Sequence, residues 1–154
     1  MKKIAIVLTF AALAALTFAE KAPAFGAPDT DGKLFKLADF AGKPTLIVFF
    51  NGTAPCCAGE SLPLIEELKK KHAKLNIVAF VRKSSTEAAA WKRQAKVTFP
   101  VLADPKGDIA KKYRANSGQA FQCVDKGGNL GALVVDFDDK KAGEVRAGVQ
   151  KLLK

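Results

Sequence analysis

The sequence TLIVFFNGTAPCCAGE, residues 45–60, joins an unbroken apolar run to two adjacent cysteines. The run Thr45–Phe50 has the length of a strand, and continuous apolar residues are typical of a strand that is buried on both faces. From about residue 58 to residue 72 the apolar residues recur at helical spacing. The stretch therefore predicts a buried strand followed by a helix, with Cys56 and Cys57 at the junction.

The alternation of extended and helical patterns continues to the end of the chain. Ser84 and Glu87 form a capping box, which predicts the start of a second long helix that runs to about Ala95. We therefore predict an α/β domain whose central mixed sheet carries helices on both faces. The other predicted elements are a hairpin turn at 29–32, strands at 76–81, 120–125 and 130–137, a short extended segment at 99–102, a short helix at 109–113 and a last helix from 140.

The position of the cysteine pair favours a reactive thiol. Open α/β sheets carry their ligand sites beyond the carboxyl ends of the strands. A helix start offers unpaired backbone N–H groups and the positive end of the helix dipole, which together lower the pKa of a thiol. Cys57 directly precedes the predicted helix, so we predict that it is a redox nucleophile and that it alkylates faster than Cys123, which falls on a predicted central strand. Pro63 predicts a bend soon after the helix begins.

The first nineteen residues have the pattern of a secretory signal peptide. Lys2 and Lys3 precede the apolar run 4–16, and small residues come before Glu20. We predict a signal peptide over residues 1–19, one domain over residues 20–154, and a mature chain that is exported to the periplasm or another extracytoplasmic space and is not embedded in the membrane. Disulfides persist in such a compartment, and three cysteines leave at least one without an intramolecular partner.

Charge and composition argue against several kinds of partner. The formal net charge is +10, but the lysines are scattered without interleaved aromatic residues, which favours a solvated surface over a nucleic-acid interface. Paired sulfurs could bind Cu(I) or another thiophilic metal. Structural zinc needs about four ligands, and the one histidine, His72, lies far along the predicted helix. We expect no cofactor, no metal ion and no nucleic acid.

Four motifs outside the cysteine loop carry a family resemblance. In this order and spacing, the chain resembles the thioredoxin-like redoxins, which include the alkyl hydroperoxide reductase/thiol-specific antioxidant (peroxiredoxin-like) proteins and the related exported thiol–disulfide oxidoreductases. The resemblance implies a thioredoxin-like fold over residues 20–154 and a thiol-dependent oxidoreductase. The motifs are AFGAPDTDGK at 24–33, LADFAGKP at 37–44, TFPVLADPKG at 98–107 and VDKGG at 124–128.

The active-site segment departs from the family patterns. Exported redoxins carry Trp-Cys-Pro-x-Cys-x-x-Glu, and residues 53–60 align with this pattern without a gap. Cys57 then takes the second cysteine position, Glu60 takes the glutamate, and Ala54 stands where the attacking cysteine would be. In the peroxiredoxin pattern a threonine lies three residues before the cysteine, whereas Thr53 lies four residues before Cys57.

The resemblance also implies the roles of the site residues. Gln119 falls near the place of the family's cis-proline or of the peroxiredoxin arginine. We predict thiol–disulfide exchange on protein or small-molecule disulfides and thiols. The alternatives are a hydroperoxide reductase with antioxidant activity, and a non-catalytic or thiophilic-metal-binding module. The implied site comprises Cys57, Cys56 and Glu60 as catalytic residues, Thr53, Pro55 and Gln119 as supporting residues, and Cys56 or Cys123 as the resolving cysteine.

Overall fold

The strand expected over residues 45–50 lies in the middle of the sheet, and all six of its residues are buried. The computed structural model describes residues 19–52 and 58–154. Its strands are β1 (Gly26–Pro28), β2 (Leu34–Lys36), β3 (Thr45–Phe50), β4 (Asn76–Val81), β5 (Val101–Ala103), β6 (Gln119–Val124) and β7 (Leu130–Val134). Its α-helices are α1 (Ala58–Lys71), α2 (Ser85–Ala95), α3 (Asp108–Lys112) and α4 (Ala142–Leu152), and short 3-10 turns cover Leu37–Phe40 and Asp139–Lys141.

The sheet is mixed, as predicted. Its strand order is β5-β4-β3-β6-β7, and β1 and β2 form a separate antiparallel hairpin. β3 runs parallel to β4, which runs parallel to β5, whereas β6 is antiparallel to both β3 and β7. The carboxyl ends of β3, β4 and β5 therefore share one edge of the sheet with the beginning of β6. At this edge Phe50 pairs with Val81 on one side and with Gln119 on the other.

Alternate residues of β3 face two hydrophobic clusters. Leu46, Val48 and Phe50 belong to the cluster formed with α1, α2 and α4. Ile47 and Phe49 belong to the cluster formed with α3 and the β1–β2 hairpin. This arrangement explains the unbroken apolar run, because neither face of the strand meets water. Helices on both faces of a mixed sheet confirm the predicted fold class.

Three predicted extended segments have different ends in the structure. β6 covers Gln119–Val124, one residue earlier than predicted at both ends, and the other two differ for local reasons. β5 begins at Val101 rather than at residue 99, because Pro100 has no N–H to donate to the ladder. β7 ends at Val134 rather than at residue 137, because Asp136 takes a left-handed conformation with φ +49°. The expected bend at Pro63 does not interrupt α1, since the proline lies inside one continuous helix.

The described chain joins the domain from its first residues. Glu20 accepts a backbone hydrogen bond from Leu130 at 2.7 Å, and Lys21 forms a bridge with Asn129. Apart from residue 19, the predicted signal peptide lies outside the described residues, so its boundary stays a prediction. In residues 19–52 and 58–154, no helix is long and apolar enough to cross a membrane.

Candidate redox site

The cysteine loop, defined here as residues 51–57, connects the end of β3 to the start of α1. Phe50 is the last residue of β3 and Ala58 the first of α1. The sequence therefore places the cysteine pair between the carboxyl end of the central strand and a helix start. The predicted site residues that lie outside the described side chains are Thr53, Pro55, Cys56, Cys57 and Glu60, together with Ala54.

The entry to the cysteine loop is held by the segment that leads into β6. The Asn51 N–H donates to the Gly118 carbonyl at 3.3 Å, and the Asn51 side-chain amide donates to the Ala115 carbonyl at 2.5 Å. On the other side, the Arg82 N–H donates to the Phe50 carbonyl at 3.2 Å. The position at which the chain leaves β3 is thus determined by backbone contacts with both neighbouring segments.

The helix that follows the loop is held by Gln119, the residue after Gly118. Ser61 lies in the first turn of α1 and is fully buried. The side-chain amide of Gln119 donates to the Ser61 Oγ at 2.5 Å, and Gln119 is only 6% exposed. Gly118 and Gln119 therefore contact Asn51 at the entry to the cysteine loop and Ser61 in the first turn of the helix that follows it.

The backbone at Gly118 has little freedom. Its φ is +53°, and a Cβ there would lie 2.4 Å from the Asp136 Oδ1 and 3.2 Å from the Asp136 Cα. Only glycine fits both requirements without strain. Asp136 is in turn hydrogen-bonded by the Ser117 hydroxyl at 2.7 Å. The segment from Ser117 to Gln119 is therefore a rigid neighbour of the loop.

Sequence reasoning identified Gln119 but missed its partners. Ser61 looked like any polar residue in a helix, and Asp136 was assigned to a strand. The Ser-Gly pair at 117–118 is a recognisable turn signal, and it could have drawn attention to this corner. Nothing local in the sequence relates Ser61 to a strand that begins 58 residues later.

Cys123 lies apart from the cysteine loop. It pairs with Leu46 in β3, whereas the loop starts beyond Phe50, which pairs with Gln119. Cys123 lies four positions along the strand from Gln119, and the two Cα atoms are therefore about 14 Å apart. The thiol is 2% exposed, and burial raises its pKa to about 12, so it stays protonated at neutral pH.

The surroundings of Cys123 explain why the position holds a small residue. α4 crosses it at Gly148, where a Cβ would approach the Cys123 Sγ to 3.1 Å. The proposed resolving role of Cys123 conflicts with this geometry, because a resolving thiol must reach the loop. The structure instead favours a role for Cys123 as a small apolar residue of the core.

The described residues contain no cluster of metal ligands. In residues 19–52 and 58–154, no three side chains of the types His, Cys, Asp and Glu lie close enough together to hold an ion. The helix α1 is 14 residues long, and His72 directly follows its last residue. His72 therefore lies about 21 Å from the start of the helix. It is therefore too far from the cysteine pair to share a metal with it. The hypothesis that Cys56 and Cys57 alone bind a thiophilic metal falls outside the described residues.

Comparison with known proteins agrees with this architecture. Residues 18–140 match the AhpC/TSA family. The chain belongs to the AhpC/TSA family. The match covers the cysteine loop and every strand of the sheet, so the predicted resemblance to the thioredoxin-like redoxins is confirmed.

This AhpC/TSA protein is about equally similar to a relative described as a peroxiredoxin and to one described as thioredoxin-like. A protein of Mycobacterium tuberculosis H37Rv, described as a candidate peroxiredoxin, is 30% identical over 128 residues, which are 81% of this chain and 82% of the relative. The thioredoxin-like protein YneN of Bacillus subtilis is 31% identical over 130 residues, which are 81% of this chain and 75% of the relative.

Solved structures show the same fold. The crystal structure of a candidate thiol:disulfide interchange protein DsbE from Chlorobium tepidum superposes with a TM-score of 0.78 at 23% identity. The superposition covers 88% of this chain and 97% of the other. At this identity the likeness establishes the thioredoxin-like fold, and the activity must be argued from the site.

Proposed function

We propose that this AhpC/TSA protein is an exported thiol–disulfide oxidoreductase and that Cys57 is its nucleophile. The observation that supports this most directly is that the residues directly after Cys57, from Ala58 on, are helical. The first turn of a helix presents unpaired N–H groups and a positive dipole end, which favour a thiolate over a thiol. A thiolate is the form that attacks disulfides.

The proposed reaction is an exchange of two electrons between sulfurs. The Cys57 thiolate attacks one sulfur of a substrate disulfide, the S–S bond breaks, and the other sulfur leaves as a thiolate that takes a proton from water. The mixed disulfide is then attacked by a second thiol, for which Cys56 is the adjacent candidate. That step releases the second substrate thiol and leaves a Cys56–Cys57 disulfide, so the protein is oxidised and the substrate is reduced.

The adjacent disulfide would be an oxidising one. Neighbouring Cα atoms lie about 3.8 Å apart, below the usual disulfide range of about 4.4–6.8 Å. A strained disulfide is easily reduced, so the same pair could also pass oxidising equivalents to substrate thiols. The substrates we propose are therefore disulfides and thiols of proteins or small molecules.

A hydroperoxide reductase is the second candidate, favoured by the mycobacterial relative described as a candidate peroxiredoxin. By resemblance, such an enzyme would carry an arginine near the position of Gln119. Gln119 is neutral, and its amide already donates to Ser61. Arg82 also follows a strand that ends at this edge of the sheet, but its guanidinium packs against Gly107, in the turn that follows β5. The described residues at this edge therefore favour disulfide exchange.

Rates with the two kinds of oxidant decide between these candidates. The reduced mature protein is mixed with a protein disulfide or with hydrogen peroxide at equal concentrations, and the products are followed by intact mass and peptide mapping. We expect the disulfide to react at least about tenfold faster, with the first adduct on Cys57, because exchange needs only a thiolate and a leaving sulfur.

Two outcomes of this experiment would contradict the proposal. Rapid and saturable peroxide consumption that survives Cys56→Ser and is abolished by Cys57→Ser would identify a one-cysteine peroxidase. No reaction of Cys57 with either oxidant would leave a non-catalytic module.

Export is the other part of the proposal. The N-terminal pattern Lys-Lys, apolar run and small residues supports cleavage before Glu20. Glu20 and Lys21 already make backbone contacts with the β6–β7 hairpin, so a chain beginning at Glu20 keeps these contacts. We expect N-terminal mass spectrometry of the protein from an extracytoplasmic fraction to place the first residue within a few positions of Glu20. Recovery of the mature protein with Met1 intact in the cytosol would contradict export.

A further inference from the structure

We infer that Gln119 is a positioning residue, which holds the first turn of α1 at a set distance from the end of β3 and thereby raises the reactivity of Cys57. The inference on reactivity rests on the proposed function, whereas the inference on the loop does not. The Gly118–Gln119 pair is hydrogen-bonded both to the first residue of the cysteine loop and to the first turn of the helix that follows it. Asn51 donates to the Gly118 carbonyl, and Ser61 accepts from the Gln119 amide.

The hydrogen bond to Ser61 acts on the part of α1 that matters for the thiol. Ser61 follows Cys57 by four residues, which is about one helical turn. The position of Ser61 therefore affects where the first turn of α1 is placed. Ser61 is fully buried and Gln119 is 6% exposed, and a hydrogen bond between buried groups is not replaced by water when it breaks.

The amide of Gln119 is presented from a fixed backbone. Its Cα pairs with Phe50 in β3, and its carbonyl accepts from the Phe137 N–H at 2.9 Å. The preceding Gly118 is held in its left-handed conformation against Asp136. Because the backbone cannot shift, the reach of the side chain sets the separation between the end of β3 and the first turn of α1.

The residue type fits this role. A glutamine side chain donates a hydrogen bond without bringing a charge to the loop, whereas an arginine would bring one and a proline could not donate at all. Methionine has nearly the same length and shape but no donor. Gln119→Met therefore removes the hydrogen bond while keeping most of the packing.

Gln122 supplies a matched control on the same strand. It is also a buried glutamine, 2% exposed, and its amide donates to the Cys123 carbonyl at 2.8 Å and to the Gly131 carbonyl at 3.2 Å. It lies three residues further along β6, on the opposite face, and pairs with Ile47 in the middle of β3. Gln122→Met should therefore lower stability without affecting the cysteine loop.

The first measurement is amide hydrogen exchange of the peptide covering residues 51–62, in the reduced protein. We expect Gln119→Met to accelerate exchange there, because it removes the buried hydrogen bond from Gln119 to Ser61. Gln122→Met should leave this peptide unchanged. Unchanged exchange in Gln119→Met, or equal acceleration by Gln122→Met, would overturn the positioning role.

The second measurement is the pH profile of Cys57 alkylation by iodoacetamide. We expect Gln119→Met to slow alkylation about fivefold at pH values well below the midpoint of the profile, the factor that corresponds to one neutral hydrogen bond. The midpoint of the profile should rise by about 0.7 pH unit, which is the same fivefold change expressed as a pKa. Gln122→Met should keep the profile of the unsubstituted protein, whatever its melting temperature.

The two measurements separate this inference from the proposed function. Absence of Cys57 alkylation in the native unsubstituted protein would refute the proposed function and the effect on reactivity, while hydrogen exchange would still decide whether Gln119 holds the loop. Normal alkylation with a profile that Gln119→Met does not move would leave the proposed function standing and refute the effect on reactivity.

Discussion

Replacing Cys57 with serine is expected to abolish disulfide exchange, lowering the rate by on the order of a thousandfold or more. A serine hydroxyl is not ionised at neutral pH and cannot form a mixed disulfide, so the first bond of the reaction cannot be made. The measurement is the reduction of a protein disulfide by the mature protein with a dithiol as electron donor. The background rate of the dithiol alone sets the floor.

The other two cysteines provide the controls for this prediction. Cys123→Ser should keep most of the rate, because Cys123 is buried about 14 Å along β6 from the loop edge. Cys56→Ser should let the mixed disulfide on Cys57 accumulate, which intact mass detects directly. Full activity in Cys57→Ser, with loss in Cys56→Ser, would assign the nucleophile to Cys56 instead.

Replacing Phe80 with alanine is expected to lower the free energy of unfolding by about 3–5 kcal/mol, the usual cost of removing a buried phenylalanine ring. Phe80 is 2% exposed and lies parallel to Phe49 with ring centroids 5.4 Å apart. Phe25 meets it edge to face at 5.0 Å. The cavity would open under β3 and β4, which carry the cysteine loop at their common edge. Since domains are commonly stable by only about 5–15 kcal/mol, the loss should be visible as partial unfolding on mild heating.

Urea denaturation followed by far-UV circular dichroism measures this loss. Phe35→Ala is the matched control, because Phe35 is only partly buried in the β1–β2 hairpin and stacks on Phe40 at 6.2 Å. We expect its cost to be about 1 kcal/mol, with the same dependence on urea concentration in both variants. Equal losses in the two variants would show that the phenylalanine cluster around Phe80 contributes no special stability.

The amino-acid sequence alone determined the elements and the place of the site. The apolar run Thr45–Phe50 could only be a strand buried on both faces, and the capping box at Ser84 and Glu87 located the start of α2. These signals are local, because both the apolar run and the capping box depend only on residues that are close together in the sequence. A cysteine pair between such a strand and a helix therefore pointed to the carboxyl edge of the sheet before any coordinates were known.

Other features were decided only by the tertiary structure. The hydrogen bond from Gln119 to Ser61 joins residues 58 positions apart, and the close approach of Asp136 to Gly118 depends on how β7 leaves the sheet. The burial of Cys123 likewise depends on α4 crossing β6 at Gly148. Each of these contacts is set by the packing of distant segments against one another, for which a polar side chain or a glycine carries no distinctive local pattern. The sequence could therefore single out the thiol that we propose as the nucleophile, while the contacts of Gly118 and Gln119 with Asn51 and Ser61 became visible only in the folded chain.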